Sequence, residues 1–567
     1  MDFQIFIDIA LLILHILLPI FAIVIVYACF ASMRRHRRPE KPLVTLEVKG
    51  ANRKVPVLFW ENSIGRSKGS DICIYDMAVS RQHCVLLRRE DGWYINDTDS
   101  KAGTFVNGER TKGRTQVLID DEITLGTTTL ILKKGSEFKE KLRSSWFFSK
   151  TSNKESMKQY KLMLLISFFH LFMAIEACLC KDKQDYTPLI VFGVFTILIW
   201  TFFCISSYAF NRINFEIEAL CSFLSGIGIM LLVRQEERSA WIQLAACAMG
   251  IIVFSIVVKF IENPDRVDSW RWGIMIASVV LLAINLLFGK VTNGSANWIS
   301  LGPITVQPSE FVKVAYVFVG AAALDKLETK RNFIEFIIFS AICVGALALM
   351  GDFGTALIYF ATFLIIAFMR SGDYKTIILA LVAAVFAVLV VLSMKPYVAD
   401  RFTGWWGAKV NGYTQAYFDN AGYQQSRALT YAVSGGLTGV GVGNGFLKYI
   451  VASESDLVFG LTCEELGAIV AFVIAAFLVA LFFYTRAVTT RSRSTFYSIS
   501  ACCAAGLLII QATLNIFGSM DLIPLTGVTL PFISAGGSSM ISCWGLMAYI
   551  KAADERTYAA KRIKPRY

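Results

Sequence analysis

The sequence predicts a polytopic α-helical membrane protein of about thirteen spans with one small all-β sandwich near its N-terminus. Of its 567 residues, 55% are hydrophobic and only 17% are charged, whereas soluble domains carry about a quarter charged residues. The apolar residues gather into runs of about 20, the length that crosses a hydrocarbon core. Near the N-terminus, short alternating runs separated by Gly, Asp, Asn and Ser instead indicate a β-sandwich.

The net charge of +12 does not indicate a nucleic-acid partner. Lys and Arg stand mostly in short loops between apolar runs, where they fix the orientation of a membrane protein. The thirteen Cys are scattered, mostly inside apolar runs, which is typical of small core side chains. Cys178 and Cys180, near a predicted outer end, form the one pair that merits a thiol test.

The first apolar run extends from about Phe3 to Ser32, and four arginines follow it at positions 34–38. A cleaved signal peptide places its positive charge before the apolar run. We therefore predict an uncleaved anchor over residues 1–33, with its N-terminus outside and the following domain in the cytoplasm. That domain, the sandwich, spans residues 43–134, and a Ser/Lys-rich linker follows over 135–158.

Twelve further apolar runs follow the linker. Two spans are predicted within 160–208, ten within 215–553, and a basic cytoplasmic tail over 554–567. The predicted spans are 160–178, 187–208, 215–233, 239–260, 270–288, 308–325, 334–350, 354–370, 375–395, 462–484, 494–518 and 531–551. Alternation from a cytoplasmic linker places the basic loops inside, and it places the long loop 395–462 outside. A loop of this length is usually functional.

Three polar clusters stand at predicted strand ends of the sandwich. Arg66 can fork two hydrogen bonds onto a phosphate and Ser80 can donate a third, while Arg81 and Lys101 add positive charge to the same loops. Phosphothreonine carries nearly two negative charges, so such loops suit it. The alternative is a sandwich with ordinary polar turns.

The order of these clusters, GR…SRQH…GTFVNG, resembles a forkhead-associated (FHA) domain over about 95 residues. The resemblance implies that Arg66 and Ser80 hold the phosphate and that His83 supports their loop. Ala102 departs from the family, which usually has an Asn there that grips the ligand backbone. Phosphopeptide binding and a purely structural module are both compatible with this departure.

Polar residues also interrupt the apolar background of the membrane part. Glu310 and Lys313 open one span and can pair on a single helix face, which either fixes packing or contacts substrate. Asp352, between Gly351 and Gly354, is either a helix N-cap or a functional carboxylate. The segment 524–539 is dense in Pro and Gly and predicts a broken helix that lines a cavity.

The long loop contributes Arg401, Gln425, Ser426 and Asp456. Asp456 stands at the predicted outer membrane edge, where a carboxylate suits a general base or a divalent-metal ligand. The alternative is a solvated loop side chain. The Gly-rich stretch 435–445 lacks the Lys-Ser/Thr of a nucleotide-binding loop.

Together these motifs resemble the SEDS family (RodA, FtsW and SpoVE), the polytopic peptidoglycan glycosyltransferases. The matches, in order over about 260 residues, are ANWISLG…QPSEFVK, DFGTA, QS…SGG, SESD…EELG and PLTGVTLPFISAGGSS. The resemblance implies a ten-span core that starts near Phe215, so that the anchor and the spans at 160–208 are additions. Gly351 stands where the family has Pro, and Ala535 where Tyr is common.

The resemblance implies polymerisation of lipid II at the outer face of the cytoplasmic membrane. Asp456 matches the family's essential loop carboxylate and would act as the base, and Arg401 and Lys313 are candidates for the pyrophosphate. The remaining matched residues are predicted to line the substrate site: Glu310, Asp352, Gln425, Ser426, Ser538 and Ser539. Mg²⁺ or Mn²⁺ suits these ligands, with Asp456 as a candidate ligand, and no organic cofactor is expected.

The implied partners are a class B penicillin-binding protein, which crosslinks the glycan, and a phosphothreonine protein of a Ser/Thr kinase pathway. Two other classes of function stay open at this point. One is a transporter, such as a flippase for the same lipid, and the other is a non-enzymatic scaffold of the cell-wall machinery. The polar motifs collect at outer helix ends, whereas a permease more often carries charges along a path through its helices.

Overall fold

The structure is a computed structural model that describes most of the chain. It describes residues 3–35, 44–50, 54–57, 60–67, 70–89, 92–134, 159–180, 185–209, 214–292, 295–302, 304–323, 330–371, 396–412, 414–419, 422–489, 494–554 and the isolated positions 378, 381, 382, 385, 492 and 557. The predicted linker 135–158 and nearly all of the predicted tail 554–567 lie outside these residues.

Long apolar helices dominate the described residues. The described α-helices, long and short, are α1 (Phe3–Arg35), α2 (Gln159–Cys178), α3 (Thr187–Cys204), α4 (Glu216–Leu232), α5 (Glu237–Phe260), α6 (Pro264–Phe288), α7 (Pro308–Ala323), α8 (Lys330–Met350), α9 (Phe353–Ser371), α10 (Pro396–Asn411), α11 (Gln415–Asp419), α12 (Tyr423–Ser434), α13 (Val458–Thr489), α14 (Thr495–Ser519) and α15 (Gly537–Ala553). By length and composition, eight described helices can cross a membrane. The predicted multi-span fold class is confirmed.

Twelve of the thirteen predicted spans coincide with a described helix, and the segment 375–395 lies almost entirely outside the described residues. The center of the bundle is formed by α4 and α15, whose residues are buried along their whole length. Glycine permits close contact here, because a Cβ on Gly228 of α4 would lie 2.3 Å from the carbonyl oxygen of Ile533.

The sandwich consists of strands that begin at Val44 and end at Lys134, as predicted. The strands are β1 (Val44–Val48), β2 (Lys54–Val57), β3 (Glu61–Gly65), β4 (Ile72–Cys73), β5 (Cys84–Arg89), β6 (Gly92–Asp97), β7 (Thr104–Val106), β8 (Glu109–Arg110), β9 (Arg114–Val117), β10 (Glu122–Leu125) and β11 (Thr128–Lys134). One sheet has the order β2-β1-β11-β10-β7-β8 and the other β4-β3-β5-β6-β9. Their inner faces form a hydrophobic core separate from that of the helices.

Two segments of the membrane part are more ordered than predicted. Between α6 and α7 the chain forms a small antiparallel sheet of β12 (Lys290–Thr292), β13 (Ser295–Leu301) and β14 (Ile304–Val306). The stretch 395–462 contains α10, α11, α12 and the start of α13. Its helices are short or polar, so they did not register as apolar runs.

The sandwich and the helices meet at the beginning of α14. The backbone N–H of Thr495 donates a 3.0 Å hydrogen bond to the carboxylate of Glu61. Asn515 stands twenty residues further along α14, about 30 Å away at the helical rise per residue. A distance of about 30 Å matches the thickness of a hydrocarbon core. The two ends of α14 therefore lie at opposite ends of the bundle.

Candidate functional site

Asp456 lies in a tight turn that immediately precedes α13. Its backbone N–H donates to the carbonyl of Ala452 over 3.0 Å, and Ala452 adopts a left-handed φ of 63°. The carboxylate is half-buried. A side chain at this position is ordered by its backbone and still reachable from outside the bundle.

The end of α14 and the segment between α14 and α15 together hold this turn in place. Asn515 donates from Nδ2 to the carbonyls of Asp456 (3.1 Å) and Val528 (2.8 Å). Ser534 Oγ donates to the carbonyl of Ser455 over 2.6 Å. A Cβ on Gly527, whose φ is 67°, would lie 3.9 Å from Asp456 Oδ2. The structure thus brings together the two motifs SESD and PLTGVTLPFISAGGSS, which lie far apart in the sequence.

Glu454 is the second carboxylate of the turn. It is half-buried, and its carbonyl accepts a 2.8 Å hydrogen bond from the N–H of Ala535. Burial, and secondarily the charge of Glu236, raises the pKa of Glu454. Its backbone thus braces the turn independently of its side chain.

Glu310 and Lys313 form a buried ion pair inside the bundle, with Nζ 2.6 Å from Oε1. Lys313 also donates to Oε1 of Gln511 over 3.1 Å, and Ser542 donates to Glu310 Oε2 over 2.7 Å. The predicted pairing on one helix face is present. The ammonium of Lys313 is bound to these partners in the described conformation. This favours a role in helix packing over contact with substrate.

A chain of hydrogen bonds continues from this pair to the beginning of α15. Gln511 Nε2 donates to the carbonyl and hydroxyl of Thr529, and Thr529 shares a 2.8 Å hydrogen bond with Ser539. Ser538 Oγ accepts from the N–H of Gln307 over 3.1 Å. Ser539 therefore belongs to the polar network of the ion pair, and Ser538 contacts the residue that precedes α7.

Asp352 caps α9. Its Oδ1 accepts a 3.1 Å hydrogen bond from the N–H of Thr355, and its Oδ2 accepts 3.1 Å hydrogen bonds from Asn297 and Gln307. Gln307 immediately precedes α7 and also contacts the first turn of α15 through Ser538. The N-terminal ends of α7, α9 and α15 thus converge, and their dipoles together favour a negative charge nearby.

The candidates from the long segment occupy different positions. Gln425 is buried and donates from Nε2 to the carbonyls of Gly518 (2.7 Å) and Ile523 (2.9 Å). Ser426 Oγ donates to the carbonyl of Tyr423 over 3.1 Å within α12. Arg401 belongs to α10, but its side chain lies outside the described part of the structure.

The carboxylates that follow Asp456 in sequence have a separate role that the sequence did not reveal. Glu464 accepts hydrogen bonds from the N–H groups of Phe446 (2.7 Å) and Leu447 (2.9 Å), and Glu465 accepts from that of Gly443 (3.0 Å). The Gly-rich loop wraps these side chains with its backbone. Within the described residues, no cluster of three or more His, Cys, Asp or Glu is arranged to hold a metal ion.

The sandwich assembles its candidate residues around Ser80. Ser80 Oγ accepts a 3.0 Å hydrogen bond from the N–H of Lys101, and the N–H of Arg66 donates to the carbonyl of Ser80 over 2.9 Å. The N–H of Ser67 donates to the carbonyl of Arg81 over 3.1 Å. The side chains of Arg66, Arg81 and Lys101 are exposed. Three loops thus present cations at one edge of the sandwich.

A buried histidine and a half-buried aspartate support these loops. His83 Nδ1 accepts a 3.1 Å hydrogen bond from the N–H of Ser80, and its Nε2 lies 3.1 Å from the carbonyl of Gly103. Burial raises the pKa of Asp97, but hydrogen bonds from Ser100 and Thr104 outweigh it and hold that pKa below its ordinary value. The geometry matches the loop-supporting role predicted for His83.

Comparison with known proteins identifies both parts of the chain. Residues 224–559 match the FtsW/RodA/SpoVE family model, described as "Cell cycle protein", and residues 62–126 match the model of the FHA domain. A probable peptidoglycan glycosyltransferase FtsW of Buchnera aphidicola is 30% identical over 303 residues, which cover 51% of this chain and 74% of the relative. The peptidoglycan glycosyltransferase RodA of Mycobacterium tuberculosis is 24% identical over 374 residues, which cover 61% and 78%.

A solved structure described as "Structural coordination of polymerization and crosslinking by a peptidoglycan synthase complex" covers 62% of this chain and 99% of its own, at 21% identity and a TM-score of 0.49. The family model alone spans more than half of the chain. The chain therefore belongs to the FtsW/RodA/SpoVE (SEDS) family and carries an FHA domain ahead of the family core.

Proposed function

We propose that this chain is a peptidoglycan glycosyltransferase that polymerises lipid II at the outer face of the cytoplasmic membrane. The main support for this proposal is the position of Asp456. Its carboxylate is half-buried on a turn held by hydrogen bonds, and this turn lies at the end of the bundle opposite the contact with the sandwich. The names of the relatives, peptidoglycan glycosyltransferases FtsW and RodA, support the same reaction.

The reaction assigns a distinct role to each group. The sugar hydroxyl of the acceptor attacks the anomeric carbon of the lipid-linked donor, and the bond from that carbon to the pyrophosphate oxygen breaks. Asp456 takes the proton of the attacking hydroxyl as general base. The lipid pyrophosphate leaves with its negative charge, which Arg401 and the converging ends of α7, α9 and α15 would stabilise.

Lys313 remains a candidate for pyrophosphate binding if substrate displaces it from Glu310. The other candidates would shape the site and not bind substrate directly, because their described hydrogen bonds go to other parts of the protein. They are Gln425, Ser426, Ser538 and Ser539. An apolar cavity of about 260 Å³ between α5, α6, α7 and α15 suits a hydrocarbon chain.

A divalent cation fits this site only together with substrate. Asp456 supplies one hard oxygen ligand, and Mg²⁺ commonly combines one or two carboxylates with water and substrate phosphates. Bound there, Mg²⁺ or Mn²⁺ would neutralise the leaving pyrophosphate.

The FHA domain would bind a phosphothreonine protein in the cytoplasm through Arg66, Ser80, Arg81 and Lys101, and a class B penicillin-binding protein would crosslink the product. In β3, Glu61 and Gly65 stand at opposite ends of the strand. Contact with α14 at Glu61 therefore leaves the phosphate-reading loops accessible. Recruitment through these loops needs no conformational change across the membrane.

The experiment is polymerisation of labelled lipid II by the purified full chain, followed as glycan strands on a gel. Wild-type protein is expected to form strands, and Asp456→Asn to lose at least about 100-fold in rate, the range of a general base. Equal rates would refute the base assignment. No strands from either protein, even with a class B partner, would favour a flippase or a scaffold.

A further inference from the structure

The Gly-rich loop, residues 435–445, forms a closely fitted cover over the beginning of α13. A Cβ on Gly439 would lie 2.2 Å from the carbonyl oxygen of Glu465, and one on Gly445 would lie 2.8 Å from Glu464 Oε2. At Gly439 the approach to backbone leaves no room for a side chain. The loop therefore lies against the beginning of α13, with the N–H of Gly443 on the carboxylate of Glu465.

Two helices outside the family core also contact this loop. Glu176 of α2 is fully buried, and its Oε2 accepts a 3.3 Å hydrogen bond from the N–H of Val442. Its Oε1 lies 2.9 Å from Nε2 of His15 on α1. His15 also lies close to the loop, since a Cβ on Gly441 would lie 2.8 Å from its Nε2. Cys180, just after α2, donates from Sγ to the carbonyl of Gly443 over 3.3 Å.

Hydrogen bonds connect the Gly-rich loop to the residues just before Asp456. Lys448 Nζ donates to the carbonyl of Gly443 over 2.6 Å, and Ser453 Oγ donates to that of Lys448 over 3.5 Å. The chain then reaches Asp456 three residues later. Displacement of the loop at Val442 or Gly443 would therefore be passed along a short, hydrogen-bonded path to the carboxylate.

Helix α1, which carries His15, also extends towards the sandwich. His15 stands twenty residues before the end of α1 at Arg35, about 30 Å along the helix, and only residues 36–43 separate that end from β1. The match to the family model begins at residue 224, so α1 and α2 lie outside the matched residues. Helix α1 thus extends from the Gly-rich loop to Arg35, close in sequence to β1 of the sandwich.

We propose that His15 and Glu176 are positioning residues, through which α1 and α2 hold the Gly-rich loop, and with it Asp456, in the geometry for polymerisation. The proposal rests on the proposed function for its catalytic consequence. The hold on the loop itself is independent of the reaction.

The test compares full-length variants by hydrogen exchange of residues 440–449 and by kcat and KM for lipid II. His15→Ala and Glu176→Ala are each expected to speed exchange in this segment and to lower kcat about tenfold, with KM within about twofold, because misplaced catalytic groups slow turnover. The double variant should be less damaged than the sum of the two single effects, because both substitutions remove the shared contact between His15 and Glu176.

His15→Gln retains an amide that reaches Glu176 and should recover at least half of the wild-type kcat. Ile16→Ala is the matched control, since Ile16 neighbours His15 on α1 and is 52% exposed; it should change neither readout. Unchanged exchange in His15→Ala, or faster exchange at an unchanged kcat, would overturn the proposal. If wild-type protein makes no polymer, the proposed function fails, and exchange alone decides whether the helices hold the loop.

Discussion

The carboxylate of Glu61 accepts a hydrogen bond from the first N–H of α14, at Thr495, over 3.0 Å. Arg89 lies 3.4 Å from the other carboxylate oxygen, and the Glu61 side chain is 2% exposed. A carboxylate at a helix N-terminus satisfies an orphan donor and interacts favourably with the helix dipole. The sandwich is thereby fixed to the end of the helix whose far end, at Asn515, holds Asp456.

Replacing Glu61 by Gln should weaken this contact. The amide retains the shape but loses the charge, and the cost should be about 1–2 kcal/mol. The expected result is faster hydrogen exchange of the amides at the beginning of α14 in the full chain. Glu47→Gln is the control, because Glu47 lies on β1 and pairs with Lys54 within the sandwich, over 3.8 Å. Equal exchange in both variants would show that the contact contributes nothing to docking.

Arg66→Ala should weaken binding of phosphothreonine peptides at least about tenfold, since a hydrogen bond to a charged group contributes about 1.5–3 kcal/mol. Lys54→Ala, which removes an exposed cation from β2, should bind as wild type. Calorimetry with peptides taken from kinase substrates measures both. The full chain should bind as tightly as residues 40–136 alone, because the reading loops lie at the strand end opposite Glu61. Equal affinity of the Arg66 variant and the wild type would show that Arg66 does not bind the phosphate.

Ala102→Asn should strengthen the same binding about three- to tenfold. The position is exposed between Lys101 and Gly103, and an amide there would add about one hydrogen bond to the peptide backbone, worth about 0.5–1.5 kcal/mol. Peptides without phosphate serve as the control and should remain unbound. No gain in affinity would mean that this chain binds the peptide backbone without the contact that Asn makes at this position in other FHA domains.

The sandwich should lose stability in acid through Asp76. Hydrogen bonds, chiefly from the Thr127 side chain and then from the Ala78 N–H, lower the pKa of Asp76 to about 2. A folded-state pKa below the unfolded value of 3.8 means that this stabilisation is complete above about pH 4 and disappears as the pH falls through 2. Denaturant midpoints of the isolated domain, with and without Asp76→Asn, should therefore differ constantly from pH 7 to about 5 and converge towards pH 2. A difference independent of pH would contradict the assignment.

Structural features that depend on a local pattern of residues could be predicted from the sequence. The lengths of the apolar runs predicted the membrane spans, and the spacing of the short alternating runs predicted the sandwich. The helix cap at Asp352 is equally local, because its partner Thr355 is only three residues away. Pairing of Lys313 with Glu310 follows from a single helical turn in the same way.

Contacts between distant segments could not be predicted in this way. Lys313 also binds Gln511, and His15 approaches Glu176, across separations that no local pattern specifies. The carboxylates of Glu464 and Glu465 accept hydrogen bonds from the backbone N–H groups of Phe446 and Gly443, in and just after the Gly-rich loop. Such donors are present at every non-proline residue, so the sequence does not indicate which of them are used.

Whether Asp456 is the catalytic base is decided by the ratio of the polymerisation rates of Asp456→Asn and Glu454→Gln. Each variant removes one carboxylate from the same turn, and the Glu454 backbone contact to Ala535 does not involve its side chain. If Asp456 is the base, Glu454→Gln should keep most of the wild-type rate while Asp456→Asn loses at least about 100-fold. Similar rates for the two variants would contradict the assignment of Asp456 as the catalytic base.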